Sequence, residues 1–257
     1  MRANVETMVS TAISLLASEV WDAMSGPSGY DLIADEYYLQ RHITSRNFDA
    51  ATTAYLAQNP VTVPSQGLTL DLGAGRGRLV EYLQVAVARI VHVDISLRML
   101  MLSCREGSLG RVNADAQQLP FRSDVFALVG AFLFDPFNAK RVFGEVARVL
   151  KSGGVFVGSL PHFLWGTTLR SAKGAPPNEA TFLLQDGRRY ARPSILSAEE
   201  DLRTTVEDAG LLVRAMVSVT LPRAVAEVSP DVEIPARALG VSVYDLPIVQ
   251  LLVAARP

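Results

Sequence analysis

One glycine-rich turn constrains the fold of this chain more than any other stretch. Residues 70–77 read Leu-Asp-Leu-Gly-Ala-Gly-Arg-Gly, so three glycines occupy alternate positions directly after a short apolar run. Glycine allows positive φ and lets the backbone approach a ligand closely. Apolar residues at helical spacing follow, so the pattern predicts a strand, a tight turn and a helix. Such a turn presents backbone N–H groups to a bound cofactor.

The glycine spacing separates two classes of cofactor. A dinucleotide-binding loop has the pattern G-x-G-x-x-G. Read from Gly73, its third glycine would fall at the position of Arg78, and Gly77 comes one place early. The loop instead resembles motif I of the class I S-adenosylmethionine (SAM)-dependent methyltransferases, in which an acidic residue precedes G-x-G-x-G. This resemblance implies a SAM site that includes Asp71, Gly73, Ala74, Gly75 and Gly77.

A second acidic residue follows another apolar run. Residues 90–94 are typical of a buried parallel strand, and Asp94 stands at its carboxyl end, where ligands bind in open α/β sheets. The same resemblance assigns Asp94 to both ribose hydroxyls of the cofactor. The alternative is a helix N-cap, because Ser96 and an apolar helix follow directly.

A third segment, residues 113–121, reads Asn-Ala-Asp-Ala-Gln-Gln-Leu-Pro-Phe. It is similar to the family's D-A-x-x-L-P-F segment, whose Asp side chain and next backbone N–H contact the adenine edge. The resemblance therefore assigns Asp115 and Ala116 to the adenine, and a turn-forming carboxylate is the alternative for Asp115. It also extends the cofactor site to Ile95, Met99, Ala131 and Phe132.

A fourth segment marks the fold more than the chemistry. Residues 145–157 resemble the family's E-x-x-R-V-L-K-P-G-G helix, turn and fifth strand, with Ser152 in place of the proline. Strands and helices are predicted to alternate from the glycine loop onward, which implies a parallel sheet with helices on both faces. The resemblance implies a doubly wound, mostly parallel, seven-stranded α/β sheet of the Rossmann-like methyltransferase type, with an antiparallel hairpin at its end.

The same patterns predict the boundaries of the helices, strands and domains. The predicted helices are 44–58, 96–104, 139–150 and 197–209, and the predicted strands are 68–72, 90–93, 125–130, 154–159, 211–219 and 247–255. Ser197 and Glu200 form a capping-box pattern at the start of the last helix. We assign residues 61–257 to the cofactor-binding core. Insertions at about 160–195 and 221–246 are expected to cover the substrate, together with the N-terminal helices.

Residues 1–60 are predicted to form a helical cap. Apolar side chains at helical spacing over about 5–24 predict an amphipathic helix that covers the domain or packs on a partner, such as a second copy of the chain. Residues 30–38 resemble the Y-D-x-I-A-x-x-Y opening of many small-molecule methyltransferases, in which aromatic residues lie over the cofactor. The resemblance gives that role to Tyr30 and Tyr37, with core packing as the alternative.

The residues that would contact the methyl acceptor are less clearly marked in the sequence. His162 follows the fifth predicted strand and is the candidate general base, because the pKa of histidine lies near neutrality; a structural histidine is the alternative. Tyr190, with neighbouring arginines at 188, 189 and 192, is a candidate binder of a substrate carboxylate or phosphate, or part of a solvated loop. Residues 131–137 lack the family's usual polar turn, and Ala127 replaces its usual Asp, so the acceptor atom stays open.

The composition excludes several classes of protein and of binding site. The net charge is −2 over 257 residues, so no broad contact with a nucleic-acid backbone is expected. The single cysteine, Cys104, excludes an internal disulfide and a Cys-rich zinc site, and we predict no metal site. We expect a cytoplasmic protein, since no stretch approaches the roughly 18 apolar residues of a membrane span and the N-terminus lacks a signal-peptide core. Basic residues are almost all arginine, which favours a bacterial source.

These observations favour a SAM-dependent methyltransferase that acts on an O, N or C atom of a small molecule. Two alternatives stay open. The acceptor is RNA or protein in the first, and the chain is a non-catalytic SAM-binding structural or regulatory subunit in the second. The intact carboxylates and glycines of the loop favour cofactor binding in all three cases.

Overall fold

A computed structural model describes residues 29–35, 42–103, 107–134, 139–183, 187 and 189–257. Two predictions fall outside this part of the chain: the amphipathic helix over 5–24 and the cofactor role of Tyr37. Cys104 and Arg188 also lie outside it. Within the described residues, no helix is both long enough and apolar enough to cross a membrane.

The elements alternate as the sequence predicts. The helices are α1 (Ile43–Gln58), α2 (Leu79–Leu83), α3 (Leu97–Leu102), α4 (Ala139–Val149), α5 (Phe163–Ala172), α6 (Glu199–Asp208) and α7 (Pro230–Leu239). The strands are β1 (Leu68–Leu72), β2 (Ile90–Asp94), β3 (Gly110–Asn113), β4 (Phe126–Phe132), β5 (Leu150–Pro161), β6 (Glu179–Leu183), β7 (Arg189–Pro193), β8 (Leu212–Thr220) and β9 (Pro247–Ala255).

Seven of these strands form one sheet in the order β3-β2-β1-β4-β5-β9-β8. Strands β1 to β5 run parallel, whereas β9 is antiparallel to both of its neighbours, β5 and β8. The predicted mostly parallel sheet with an antiparallel pair at its end is therefore confirmed. The order places the carboxyl ends of β3, β2, β1 and β4 side by side along one edge of the sheet.

Each face of the sheet has its own apolar core. Helices α4 and α6 cover one face, where Phe143 is fully buried against Phe156 of β5. Helices α1, α2, α5 and α7 cover the other face. Both predicted insertions contribute to this second layer, because α5 belongs to the first insertion and α7 to the second. The first insertion also holds the two-stranded β6–β7 hairpin.

The E-x-x-R segment of α4 has a clear architectural role. Arg148 bonds the Glu145 carboxylate through Nε and Nη2, at 2.6 and 2.7 Å. Its guanidinium also donates to the carbonyl oxygens of Phe121 and Leu119, and Glu145 accepts from the Leu119 backbone N–H. The hydrogen bond from Arg148 is the main cause that lowers the pKa of Glu145. This pair therefore anchors the Leu-Pro-Phe segment that leaves β3.

One local prediction was wrong. The helix predicted at 197 begins at Glu199, its N-cap is Ala198, and no side chain caps it. Ser197 therefore lies too far ahead of the helix for a capping box. Glu199, Glu200 and Asp201 occupy the first turn instead, where negative charge favours the helix through its dipole. Strand β3 and the β6–β7 hairpin were not predicted.

Candidate active site

A cavity opens at the carboxyl ends of β3, β2, β1 and β4. The loops after these strands form one wall, and Tyr30, α1 and α2 form the other. The lining includes ten of the residues that the sequence assigns to the cofactor: Tyr30, Asp71, Gly73, Ala74, Gly75, Asp94, Ile95, Met99, Asp115 and Ala116. Phe132 also lines the cavity, whereas Ala131 is fully buried in the sheet.

The loop after β1 depends on glycine for its shape. Gly73 and Gly75 have φ values of +62° and +46°, which L side chains rarely adopt. The Ala74 N–H donates to the Val93 carbonyl at 2.8 Å, so the loop folds onto the end of β2. Gly77 does not line the cavity; its N–H closes the turn by donating to the Ala74 carbonyl at 2.6 Å.

Asp94 is a buried carboxylate at the middle of the cavity. One oxygen accepts from the Gly75 N–H and the other from the Ser96 N–H, both at 2.8 Å. Burial raises the pKa of Asp94 to about 6, against these two hydrogen bonds. Among the described residues, no Lys, Arg or His forms a salt bridge with it. Its remaining lone pairs suit hydroxyl donors such as those of a ribose.

The N-cap of α3 is Ser96, whose hydroxyl accepts from the Met99 N–H at 3.1 Å. The capping role that was the alternative for Asp94 therefore belongs to the neighbouring serine. Asp31 in turn accepts from the Ser96 hydroxyl at 2.5 Å and from the Arg98 N–H at 3.0 Å. These bonds hold the segment that carries Tyr30 against the start of α3. The Phe182 ring of the β6–β7 hairpin contacts Tyr30 edge to face, with centroids 6.5 Å apart.

Asp71 of the glycine motif has a buried partner. Its carboxylate lies 2.9 Å from Nδ1 of His92, which is directly opposite on β2. Since a carboxylate only accepts, Nδ1 carries the proton. Nε2 of His92 is buried with no partner among the described residues. No motif predicted this pair, although the parallel register of β1 and β2 places the two residues side by side.

Asp115 stabilises a turn and also lines the cavity. Its carboxylate accepts from the Gln117 N–H at 2.8 Å, which is the geometry of the turn that was the alternative. Asn113 joins this loop to its neighbour, because its side-chain amide donates to the carbonyls of Asp94 and Ile95. The two features are compatible, since a carboxylate has lone pairs beyond the one used in the turn.

The opposite side of the cavity has polar residues that no motif predicted. The Tyr82 hydroxyl donates to Asp49, and its ring lies 4.6 Å from the Phe132 ring. Burial, followed by the nearby Asp49 charge, raises the pKa of Tyr82. Arg76 and Arg78 also line this side, within 3.5 and 3.8 Å of the Asp49 carboxylate. The tyrosine and the aspartate come from different helices, α2 and α1.

His162 does not line the cavity. It is the N-cap of α5, where Nδ1 accepts from the Leu164 N–H at 3.2 Å. Nε2 therefore carries the proton and donates to the Ser218 hydroxyl at 3.0 Å. Burial lowers the pKa of His162, mainly by disfavouring its charged form. Tyr190 lies on β7 opposite Phe182 and is likewise outside the cavity lining.

Comparison with known proteins identifies the central part of the chain. Residues 70–158 match the model of a methyltransferase domain. Uncharacterized protein MJ1252 of Methanocaldococcus jannaschii is 36% identical over 90 residues, 34% of each protein. The human mitochondrial arginine-hydroxylase NDUFAF5 is 33% identical over 97 residues, which are 36% of this chain and 28% of that protein. The match thus spans about a third of these relatives.

A solved structure extends the likeness in fold. An S-adenosylmethionine-dependent methyltransferase from Mesorhizobium loti aligns with a TM-score of 0.57, covering 81% of this chain and 100% of that chain. The sequence identity is 19%. At this identity the likeness shows a shared fold.

Proposed function

We propose that the chain is a class I SAM-dependent methyltransferase, as the match of residues 70–158 to a methyltransferase domain supports, and that it transfers a methyl group from SAM to an O, N or C atom of a small-molecule acceptor. The observation that carries the proposal is the meeting of the glycine loop, Asp94 and Asp115 in one cavity. These groups come from three neighbouring strands, and a buried carboxylate that has no cationic partner among the described residues fits the hydroxyls of a nucleoside.

The strand order suggests how the chain would hold SAM. Asp115 and Ala116 after β3 would take the adenine, Asp94 after β2 the ribose, and the loop after β1 the methionine. The methyl end would then face β4, α1 and α2. When bound, SAM supplies a methyl group that is activated by the positive charge on its sulfur. The chain's own part is to align the acceptor, and orientation can contribute about 7 to 11 kcal/mol in favourable cases.

Support for a small acceptor comes from the wall opposite the glycine loop. Ser45 and Asp49 belong to α1, outside the segment that matches the methyltransferase domain. Both insertions brace this helix: the ring of Phe48 lies 4.9 Å from Trp165, and the Asn47 side chain donates to the Glu227 carbonyl at 2.8 Å. A concave site closed by such segments suits a ligand of modest size.

The first experiment is calorimetric titration with SAM and with S-adenosylhomocysteine. We expect both to bind, and we expect the Asp94→Ala variant to bind much more weakly. Absence of binding by the folded wild-type protein would contradict the proposal.

The acceptor class needs a second assay. SAM with a radiolabelled methyl group is incubated with the protein and a cell extract, which is then separated into small molecules, RNA and protein. Label in the small-molecule fraction, absent with Asp94→Ala, supports the proposed acceptor. Label in RNA or protein would overturn it, and cofactor binding without label in any fraction would favour the non-catalytic subunit.

A further inference from the structure

The side of the cavity formed by α1, the last residues of the glycine loop, α2 and the end of β4 has an unbalanced charge. We call it the acceptor wall, and its lining residues are Ser45, Asp49, Arg76, Arg78, Tyr82 and Phe132. Two guanidinium groups face a single carboxylate there, that of Asp49. Arg78 has a second partner in Glu81, at 2.8 Å, but the Glu81 side chain is 42% exposed and lies outside the cavity lining.

Arg76 has few partners for a guanidinium so well buried. Its side chain is only 12% exposed. Among the described residues, its sole hydrogen-bond partner is Asp49, at 3.5 Å through one nitrogen. Arginine has five N–H donors, and because Arg76 lines the cavity, the donors that Asp49 leaves unused are available there to water or to a ligand.

Asp49 is a poor counter-ion for this group. Its Oδ1 already accepts the hydroxyl hydrogen of Tyr82, and Arg78 lies 3.8 Å from Oδ2, which is the oxygen that Arg76 contacts. Nε of Arg78 is buried with no partner among the described residues. The acceptor wall therefore has unused donors on both arginines.

Arg148 shows what a structural arginine looks like in this protein. It meets Glu145 through two nitrogens at 2.6 and 2.7 Å and also donates to two carbonyls. Charge-assisted pairs that stabilise a fold typically have such short, two-point geometry. Arg76 has one long contact, to Asp49, so most of its hydrogen-bond donors remain available for a ligand.

We propose that Arg76, assisted by Arg78, forms an anion subsite that takes a carboxylate or phosphate group at the methyl end of the cavity. The proposal rests on the proposed function, which makes this end of the cavity the place of transfer. Two sources have this chemistry: the methionine carboxylate of the cofactor, and an acidic group on the acceptor. A guanidinium matches either group with paired N–H donors.

The test compares Arg76→Gln with Arg214→Gln, which removes an exposed arginine from β8 at the far edge of the sheet. Each variant and the wild type are titrated with S-adenosylhomocysteine, with 5′-methylthioadenosine, which lacks the carboxylate, and with inorganic phosphate in the presence of methylthioadenosine. Retained affinity for methylthioadenosine shows that the adenosine site is folded. Arg76→Lys keeps the charge and should restore part of any loss.

If the subsite takes the cofactor carboxylate, Arg76→Gln lowers S-adenosylhomocysteine affinity about tenfold or more and leaves methylthioadenosine unchanged. If it takes an acidic acceptor, S-adenosylhomocysteine affinity is kept and phosphate binding is lost. Unchanged binding of both probes would overturn the subsite, as would an equal loss for methylthioadenosine. Wild-type protein that binds neither nucleoside refutes the proposed function instead, and phosphate titration then still tests the subsite.

Discussion

The two sides of the cavity are held together in different ways. The cofactor side consists of loops after β1, β2 and β3, and short hydrogen bonds between backbone and nearby side chains connect them. The acceptor wall depends on contacts between distant segments. Thr44 and Ser229, for example, are 185 positions apart and their hydroxyls lie 2.7 Å from each other. The bonds of the first side thus join residues at most 19 positions apart, whereas the second side depends on the packing of distant segments against α1.

The largest expected effect is a loss of stability when the packing of distant segments against α1 is disrupted. Trp165 packs its ring on Phe48 and donates from Nε1 to the Asp231 carbonyl at 2.8 Å, so it joins both insertions to α1. We expect Trp165→Ala to lower the free energy of unfolding by about 3 to 5 kcal/mol, measured by urea denaturation. The neighbouring Phe163 is 40% exposed, so Phe163→Ala should change it by less than about 0.5 kcal/mol. Equal effects of the two substitutions would contradict this account of the wall.

Asp94 tests the cofactor side directly. We expect Asp94→Ala to weaken binding of S-adenosylhomocysteine by about 1 to 3 kcal/mol, about 5- to 150-fold, because charged hydrogen bonds to the ligand are lost. Calorimetric titration measures the change, with Asp208→Ala on the exposed end of α6 as the control. Unchanged affinity in Asp94→Ala would remove the ribose assignment.

A pH series provides a finer test of the same residue. The pKa of Asp94 is raised to about 6 by burial, so its carboxyl is mostly ionised at pH 7 and mostly protonated at pH 5. Only the ionised form offers all its lone pairs to hydroxyl donors. Affinity for S-adenosylhomocysteine should therefore fall as pH drops, by about tenfold at one unit below the pKa. In Asp94→Asn this dependence should vanish; if its profile matches that of the wild type, another group is responsible.

A smaller effect on ligand affinity is expected where the cofactor side of the cavity meets the acceptor wall. Asp31 holds the Tyr30 segment on the start of α3, and its loss should weaken binding of S-adenosylhomocysteine by about 1 kcal/mol, about fivefold. Asp35 is the matched control, because within the described part of the chain its interaction is an exposed ion pair with Arg98. Fluorescence titration of Asp31→Ala and Asp35→Ala compares them. Similar affinities in the two variants would mean that this segment does not contribute to the site.

The smallest effect is expected at His162. Its role as a general base predicts a loss of turnover in His162→Ala, whereas its position as the N-cap of α5, outside the cavity lining, predicts none. We expect unchanged methyl transfer in the radiolabel assay, unchanged cofactor affinity, and a loss of about 1 kcal/mol in unfolding free energy. A clear drop in turnover with intact affinity would restore the catalytic assignment.

Most of the central sheet could be predicted from the sequence, as the bounds of individual strands and helices show. The bounds of β1 and β9 agree with the predicted ones, and those of β2 and α4 agree to within one residue. Apolar runs punctuated by glycine and acidic residues carry that information locally. Strand β3 was missed because only Val112 of its four residues is buried. The capping box failed because a short polar pattern does not define where the tertiary contacts begin a helix.

The amino-acid sequence by itself determined the glycine turn, the position of Asp94 at a strand end and hence the resemblance to the methyltransferase family, because each depends on neighbours within a few residues. Only the tertiary structure decided the acceptor wall. It moved His162 out of the candidate site and brought Asp49, Arg76 and Tyr82 into it. The physical reason is that those contacts join α1 to the β1 loop and α2, and their formation depends on burial of the surrounding side chains rather than on any local pattern.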